Sequence, residues 1–252
     1  MTNSPLHILL VDDNPGDLVL VEVLLHDTML DIHAIEKAST VAEAIEVLQQ
    51  KKVDLILLDL SLPDSFGIES FLRVNEYASS LPVIILSGLS DTATATDAIS
   101  LGAQDFLLKG EFNERLLEKT ILYSIERKRN LQEVRLSNER YELVSKATND
   151  MVWDWDYQNN KVYRNEEQFV KILKLPAHLK DGGNDFWLSR IHPDDRFVGK
   201  KIVSELDGDL TRNHFEEEYR FLRGDGTYIY VLDKGYVVRD KQGTIIRIIG
   251  AL

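Results

Sequence analysis

The feature that most constrains the fold is an alternation of short apolar runs with amphipathic segments between residues 6 and 111. Each run is rich in Ile, Leu or Val and is bounded by Pro, Gly or Asp, which is typical of buried parallel strands. The segments between the runs carry apolar residues at helical spacing and indicate βαβ units. This half therefore predicts a doubly wound α/β fold with a five-stranded parallel sheet. The predicted strands are 6–11, 31–36, 54–59, 83–87 and 105–108, and the predicted helices are 14–28, 40–51, 67–79 and 91–103.

Polar residues stand at the ends of four of these strands, namely Asp12 and Asp13, Asp59, Ser87, and Lys109. The carboxyl ends of the strands of an open α/β sheet face one crevice, so we expect the five side chains to converge. Mg²⁺ prefers carboxylate oxygens and cancels the repulsion when a carboxylate attacks a phosphoryl group. A Lys and a Ser offer a positive charge and a hydroxyl donor to phosphoryl oxygens. The pattern predicts a phosphoryl-accepting aspartate site, although a single Asp after a strand is usually a turn or capping residue.

Residues 1–125 resemble the receiver domain of two-component response regulators, in the segments ILLVDDNPGD, DLILLDLSLPDSFG, LPVIILSG and GAQDFLLKG. The resemblance implies a flavodoxin-like fold with Asp59 as the phosphoacceptor. It also implies Mg²⁺ ligands from Asp12, Asp13, Asp59 and the backbone carbonyl of Ser61.

The same resemblance implies that Ser87 and Lys109 contact the phosphoryl group. Phe106 falls at the position of the switch aromatic of the family and keeps its packing role without a tyrosine hydroxyl. One residue departs from the family pattern: Gly110 stands where a Pro usually follows the lysine.

Charge is distributed unevenly along the chain, whose formal net charge is -13. Residues 1–112 hold 18 acidic and 5 basic residues, whereas residues 113–252 hold 24 of each. Nucleic-acid binding needs Lys and Arg against phosphates, so we expect no direct nucleic-acid contact. The absence of cysteine excludes disulfides, thiolate metal sites and thiol nucleophiles. Without a secretory signal or an apolar run of roughly 18 residues, we expect a cytoplasmic protein that does not enter the membrane.

Residues 112–148 contain no Gly or Pro and are rich in Glu, Arg, Lys and Leu. They predict one long helix of roughly 50 Å. Leu131, Val134, Asn138 and Tyr141 occupy a and d spacing, and an Asn at a core position fixes the register of a parallel pair. Two interpretations stay open: a dimeric coiled coil, or a helix whose charges face water.

From residue 149 the apolar period changes to two, which predicts half-buried antiparallel strands. Met151, Trp153, Trp155 and Tyr157 share one face of the first strand, and Phe215, Tyr219 and Phe221 alternate with charge in a later one. Residues 223–227 and 240–244 predict hairpin turns, and residues 166–175 and 194–206 predict helices. The region 149–252 is therefore expected to be an α+β domain, and we expect the natural protein to continue beyond its last strand.

Residues from about 137 to 252 resemble a PAS domain of bacterial sensor proteins, in NDMVWDWDYQNNKVYRNEEQFVKILKL, IHPDDR, FEEEYRFLRGDGTYIYVLDKGYVVRDKQG and TIIRIIGAL. We interpret Trp153 and Trp155 as packing residues and His192 as a turn residue. A chain without cysteine forms no cysteinyl-flavin adduct and no thioether-linked bilin. Haem needs an axial ligand, and His178, His192 and His214 are candidates only in the sense of being histidines. We expect no haem or flavin, and a PAS domain that relays or dimerises without a cofactor.

Together the resemblances imply a phosphorylatable signalling protein, served by a histidine kinase or phosphotransfer protein and dimerising through residues 112–148 and the PAS domain. We expect at most self-dephosphorylation, with any histidine kinase or cyclic-dinucleotide enzyme beyond residue 252. A haloacid-dehalogenase-like Mg²⁺-dependent phosphatase is the alternative, but such enzymes need a second Asp two residues after the nucleophile, where Ser61 stands. A receiver-like scaffold that takes no phosphate is another alternative, although it would ordinarily lack one of the five site residues.

Overall fold

The structure is a computed structural model that describes residues 5–88, 92–199 and 212–252. The chain divides into two compact units, Met1–Ser137 and Asn138–Leu252. Residue 91 of the helix predicted at 91–103 and residues 200–206 of the helix predicted at 194–206 lie outside the described residues. Within the described ranges, no helix combines the length and apolar character needed to cross a bilayer.

The first unit is a five-stranded parallel sheet with helices on both faces, which confirms the predicted doubly wound fold. A two-stranded hairpin follows the third of its strands. The strands are β1 (Leu6–Val11), β2 (Ile32–Ala38), β3 (Leu55–Asp59), the hairpin β4 (Ser61–Leu62) and β5 (Ser65–Phe66), β6 (Val83–Ser87) and β7 (Asp105–Leu108). The helices are α1 (Pro15–His26), α2 (Val41–Gln50), α3 (Ile68–Tyr77), α4 (Thr92–Ser100) and the long α5 (Glu114–Thr148).

The parallel strands are buried on both faces, as their almost continuous apolar sequences require. In β3, alternate residues serve different cores: Ile56 and Leu58 pack on one side of the sheet, and Leu55 and Leu57 on the other. The second strand differs from the predicted 31–36. It runs to Ala38 because its pairing with β1 continues until Val11 lies opposite Ala38.

The order of strands in the sheet is β2-β1-β3-β6-β7. From β1 the chain moves to one edge of the sheet at β2, and from β3 it moves through β6 to β7 at the other edge. The carboxyl ends of β1 and β3 flank the point where the winding reverses, which is where open α/β sheets bind ligands. Asp12 follows β1 directly and Asp59 is the last residue of β3. The topology therefore brings the two carboxylates to one place.

The long helix α5 begins after Asn113, whose side chain accepts a hydrogen bond from Leu116 N and caps the helix. Leu117 and Ile121 are fully buried against the first sheet. Farther along, Leu131 and Val134 are 57% and 59% exposed. The long helix is confirmed, whereas pairing through these exposed residues stays a prediction.

The second unit is a five-stranded antiparallel sheet with short helices against one face. Its core contains Met151, Trp153, Phe215, Tyr219 and Phe221, all from the predicted apolar faces. The predicted turns 223–227 and 240–244 connect its last three strands. The elements are β8 (Val152–Asp156), β9 (Lys161–Arg164), α6 (Glu166–Leu173), α7 (Asn184–Arg190), β10 (His214–Leu222), β11 (Tyr228–Arg239) and β12 (Ile245–Ala251), with 3-10 helices at Ala177–Leu179 and Pro193–Asp195. The order of the strands in this sheet is β10-β11-β12-β8-β9.

Candidate functional site

Three carboxylates meet at the carboxyl ends of β1 and β3. One oxygen from each of Asp12, Asp13 and Asp59 lies within 4.8 Å of the others. Asp12 and Asp59 are buried, whereas Asp13 is exposed. Backbone donors orient the buried pair: Asn14 N lies 2.9 Å from Asp12 Oδ1, and Ser61 N lies 3.1 Å from Asp59 Oδ1. The three predicted acidic residues therefore form one cluster that is open on the side of Asp13.

Lys109 follows β7 and extends its ammonium group into this cluster. Its Nζ lies 2.6 Å from Asp12 Oδ2 and 2.7 Å from Asp59 Oδ2. Lys109 N donates to Ser87 O, which continues the pairing of β7 with β6 for one more residue and fixes the origin of the side chain. The predicted convergence of Lys109 with the acidic residues is present.

Burial and charge act in opposite directions on these groups. Burial raises the pKa of Asp12 above its usual value, even though Lys109 and the backbone N–H of Asn14 favour the charged form. Burial alone would lower the pKa of Lys109, but its contacts with Asp12, Asp59 and Asp17 outweigh this and raise it. Lys109 is therefore a permanent positive charge, and the acidic residues around it outnumber it.

The residues fit a small, hard cation such as Mg²⁺. The side-chain atoms of the cluster that could coordinate the cation are all carboxylate oxygens, which Mg²⁺ prefers as ligands. Asp12 Oδ2 is buried and accepts no hydrogen bond of regular geometry, although Lys109 Nζ is close to it. Buried oxygen atoms normally have a partner, so this lone pair is available to a cation.

The remaining predicted residues lie nearby but make other contacts. Ser87 is the buried last residue of β6, and its hydroxyl donates to Gly88 O at 3.1 Å rather than to Asp59. Phe106 in β7 is partly buried against the core beneath α2, α3 and α4. Ser61 begins β4, and only Leu60 separates it from the end of β3. The structure thus unites the acidic residues with Lys109, while the roles of Ser61, Ser87 and Phe106 stay predictions.

Gly110 explains the departure from the family pattern. Its φ is +82°, a left-handed conformation that glycine adopts without strain and that proline, fixed near −65°, does not adopt. The Lys109–Gly110 peptide bond is trans, as are the other peptide bonds of the described ranges. The loop after Lys109 therefore follows a path that requires glycine.

Asp17 is a fourth acidic residue at the site, and the sequence pattern did not predict it. Asp17 Oδ2 lies 2.9 Å from Lys109 Nζ. The residue occupies the first turn of α1, five positions after Asp12. The signal in the sequence was a third acid in the segment DDNPGD.

The second unit contains a buried polar cluster that the sequence did not predict. Asp233 on β11 accepts hydrogen bonds from Trp153 Nε1 at 3.0 Å and from the Tyr219 hydroxyl at 2.7 Å. The same hydroxyl accepts a hydrogen bond from Trp187 Nε1 at 2.7 Å. Burial raises the pKa of Asp233 to about 6, against the opposing effect of its two donors. This carboxyl group is held mainly by neutral groups.

A cavity of about 70 Å³ adjoins this cluster and is lined by both apolar and polar side chains, including Trp155 and Arg164.

His192, one of the three candidate haem ligands, instead begins the 3-10 helix Pro193–Asp195, where its ring nitrogen accepts a hydrogen bond from Asp194 N. Trp153 belongs to the core, and Trp155 packs against it. These contacts support the interpretation of the three residues as structural.

Comparison with protein families agrees with this geometry. Residues 8–121 match the response regulator receiver domain. Residues 161–252 match the PAS fold. The chain contains a receiver domain followed by a PAS domain. Both resemblances noted in the sequence are thereby confirmed.

Known relatives connect the receiver domain with two-component signalling. The transcriptional regulatory protein GlrR of Escherichia coli (strain K12) is 34% identical over 109 residues, which are 43% of this chain and 24% of GlrR. The chemotaxis protein CheY of Listeria monocytogenes is 28% identical over 113 residues, which are 45% of this chain and 93% of CheY. A solved signal receiver domain of a LuxO repressor protein from Vibrio parahaemolyticus is 28% identical, with a TM-score of 0.45, and the match covers 52% of this chain and 98% of that one. The chain spans only about a quarter of the length of GlrR.

Proposed function

We propose that the protein is a phosphoacceptor in two-component signalling and that Asp59 receives the phosphoryl group. The observation that supports this most directly is the meeting of Lys109 with Asp12 and Asp59 where the winding of the receiver sheet reverses. A histidine kinase or phosphotransfer protein is the proposed donor. The receiver itself is proposed to have no catalytic output beyond self-dephosphorylation.

The side chains divide the chemistry between them. An oxygen of Asp59 forms the bond to phosphorus while the bond to the leaving group breaks and the donor keeps that electron pair. A Mg²⁺ ion held by Asp12, Asp13, Asp59 and the Ser61 carbonyl would cancel the repulsion between the two anions. Lys109 contributes a fixed positive charge to one phosphoryl oxygen, and the Ser87 hydroxyl donates to another.

Phosphorylation adds about −1.5 to −2 charges to Asp59 together with new acceptor oxygens. We propose that Ser87 turns toward these oxygens and that Phe106 moves into the space left behind. The face made by α4, β7 and the start of α5 would then change shape. Because α5 is continuous from Glu114 to Thr148, it is the proposed route of the signal to the PAS domain.

The PAS domain is proposed to act as a relay or dimerisation module without haem or flavin. Ser145 near the end of α5 is buried and donates a hydrogen bond to Asp150 O, so this end of the helix is anchored in the second unit. Self-association is proposed through the exposed apolar residues of α5 and through the PAS domain. We propose a cytoplasmic protein without direct nucleic-acid or membrane contact.

Mass spectrometry after incubation with acetyl phosphate and Mg²⁺ tests the assignment of Asp59. We expect the mass of the protein to rise by one phosphoryl group and the Asp59→Asn variant to stay unmodified. Equal uptake by the variant would refute Asp59 as the acceptor.

A second experiment tests whether the signal passes through α5. Light scattering and amide exchange over residues 92–125 are measured with and without beryllofluoride and Mg²⁺, and the proposed route is wrong if neither measurement changes.

A further inference from the structure

We infer that Asp17 is a positioning residue for Lys109 and that it competes with the phosphoryl group for the ammonium of this lysine. The inference rests on the proposed function, because it concerns the lysine assigned to the phosphoryl group. The starting observation is a contact over a long sequence separation. Asp17 Oδ2 lies 2.9 Å from Lys109 Nζ, although the residues are 92 positions apart.

The start of α1 does not by itself account for this contact. Asn14 caps the helix, and its side chain accepts from Gly16 N. An acidic residue in a first turn is favoured by the helix dipole wherever its carboxylate points. The Asp17 carboxylate reaches Lys109, so the contact reflects the architecture of the site as well as the helix start.

Carboxylates crowd the Lys109 ammonium group. Its Nζ donates hydrogen bonds to Asp17 Oδ2 and Asp59 Oδ2, and Asp12 Oδ2 lies 2.6 Å away as a third close negative oxygen. A phosphoryl oxygen that approaches Nζ therefore competes with these carboxylates for the ammonium group. The identity of the carboxylate that gives way determines how tightly the site holds a phosphoryl group.

Asp17 is the partner that Lys109 releases most easily. The Asp12 side chain is fully buried and that of Asp59 is 10% exposed, whereas that of Asp17 is 31% exposed. Water therefore solvates the Asp17 carboxylate after release, while release of Asp12 would leave a buried charge unpaired. Asp17 also lies outside the cluster of three carboxylates that fits a cation. Its contact with Lys109 holds the ammonium in place before phosphorylation and opposes phosphoryl binding.

Beryllofluoride binding by the whole 252-residue protein, measured by calorimetry at saturating Mg²⁺, tests this inference. Asp17→Asn removes one negative charge and frees one donor of Lys109, so we expect beryllofluoride to bind about five-fold more tightly. Asp17→Glu keeps the carboxylate and is expected to bind as the wild type does. Wild-type affinity in Asp17→Glu would assign the gain in Asp17→Asn to loss of the carboxylate.

Glu22→Gln is the matched control. It removes the same charge from the same helix, but Glu22 pairs with Lys37 and not with Lys109. We expect no change in affinity for this control. Unchanged or weaker binding by Asp17→Asn would overturn the inference, as would an equal gain by Glu22→Gln. The proposed function fails in a different way, if the wild type does not bind beryllofluoride or if Asp59→Asn binds it equally well.

Discussion

Each unit buries a carboxyl group among polar partners, but the two units stabilise it differently. In the receiver, Asp12 and Asp59 share the positive charge of Lys109, and one oxygen of Asp12 is left without a regular hydrogen bond. In the PAS domain, both oxygens of Asp233 accept hydrogen bonds from neutral donors. The receiver cluster is thus incompletely satisfied and open to a ligand, while the PAS cluster is complete without one.

Burial of an acidic side chain therefore does not by itself indicate a functional site. A buried charge needs an opposite charge or a proton. In the receiver site, more carboxylates surround the Lys109 ammonium group than its single charge can neutralise. In the PAS domain, the raised pKa of Asp233 lets a proton neutralise this carboxyl group below about pH 6. Four experiments test this contrast.

The largest effect is expected for Lys109→Met in the absence of divalent cations. The change leaves Asp12 and Asp59 without their positive partner, and loss of one member of a buried ion pair costs about 3–5 kcal/mol. Amide exchange in peptides from β3 and β6, with EDTA present, measures the loss in free energy of unfolding. Mg²⁺ is then expected to stabilise the variant more than the wild type, because the cation no longer competes with the ammonium.

Lys51→Met is the control for Lys109→Met. Lys51 Nζ lies 2.7 Å from Glu36 Oε2 in a much more exposed pair. We expect a loss of less than about 1 kcal/mol, with no response to Mg²⁺. Equal losses in the two variants would mean that the receiver cluster is no more dependent on its cation than a surface pair is.

The second experiment follows the pH dependence of Asp233. Its pKa is about 6 in the folded protein and 3.8 as the ordinary value, so the folded state binds the proton more tightly. Stability from this group is complete below pH 3.8 and is lost as the pH rises through 6. Between pH 4 and pH 7 the wild type should lose about 2 kcal/mol relative to Asp233→Asn, which has no such titration.

All three tryptophans of the chain are in the second unit, so urea unfolding followed by tryptophan fluorescence reports on this unit. The quantity to compare is the difference in free energy of unfolding between the wild type and Asp233→Asn at each pH. This difference removes the titration of all other groups. If it does not vary with pH, Asp233 is charged in the folded protein and the contrast with the receiver is wrong.

The sequence predicted the receiver site much better than the PAS cluster, for physical reasons. Residues at the carboxyl ends of parallel strands converge whatever the details of packing. The meeting of Asp12, Asp59 and Lys109 is therefore predictable from the order of the strands alone. The contact of Asp17 depends on the rotation of α1 about its axis, which apolar spacing does not define because this helix has exposed Val and Leu residues. Asp233 and Val231 are alternate residues of β11 and both face the core. This alternation predicts burial of Asp233 but does not reveal which side chains of other strands and helices contact it.

The third experiment removes one hydroxyl group from the PAS cluster. Tyr219→Phe leaves Trp187 Nε1 without its acceptor and removes one donor from Asp233. We expect a loss of about 2 kcal/mol at neutral pH, the cost of unsatisfied buried groups. The pKa of Asp233 should rise further, because the lost hydrogen bond favoured its charged form.

Tyr230→Phe is the matched control, since Tyr230 lies on β11 and is 73% exposed. We expect its free energy of unfolding to stay within about 0.5 kcal/mol of the wild type. Urea unfolding of both variants measures the difference. Equal free energies of unfolding for the two variants would show that the hydrogen bonds of the Tyr219 hydroxyl do not stabilise the PAS domain.

The smallest effect compares two glycines with the same backbone conformation, one in each unit. Gly110 and Gly226 have φ values of +82° and +83°, and an added Cβ would meet no atom within 4 Å at either position. Alanine at either position therefore costs only backbone strain, about 1 kcal/mol. Only Gly110 adjoins Lys109, so relaxation of the strained loop moves the ammonium in Gly110→Ala alone. Urea unfolding should show similar losses for the two variants, and calorimetry should show weaker beryllofluoride binding for Gly110→Ala only. Equal affinities would mean that the loop after β7 does not define the position of Lys109, and that contacts with carboxylates alone hold the ammonium in the receiver site.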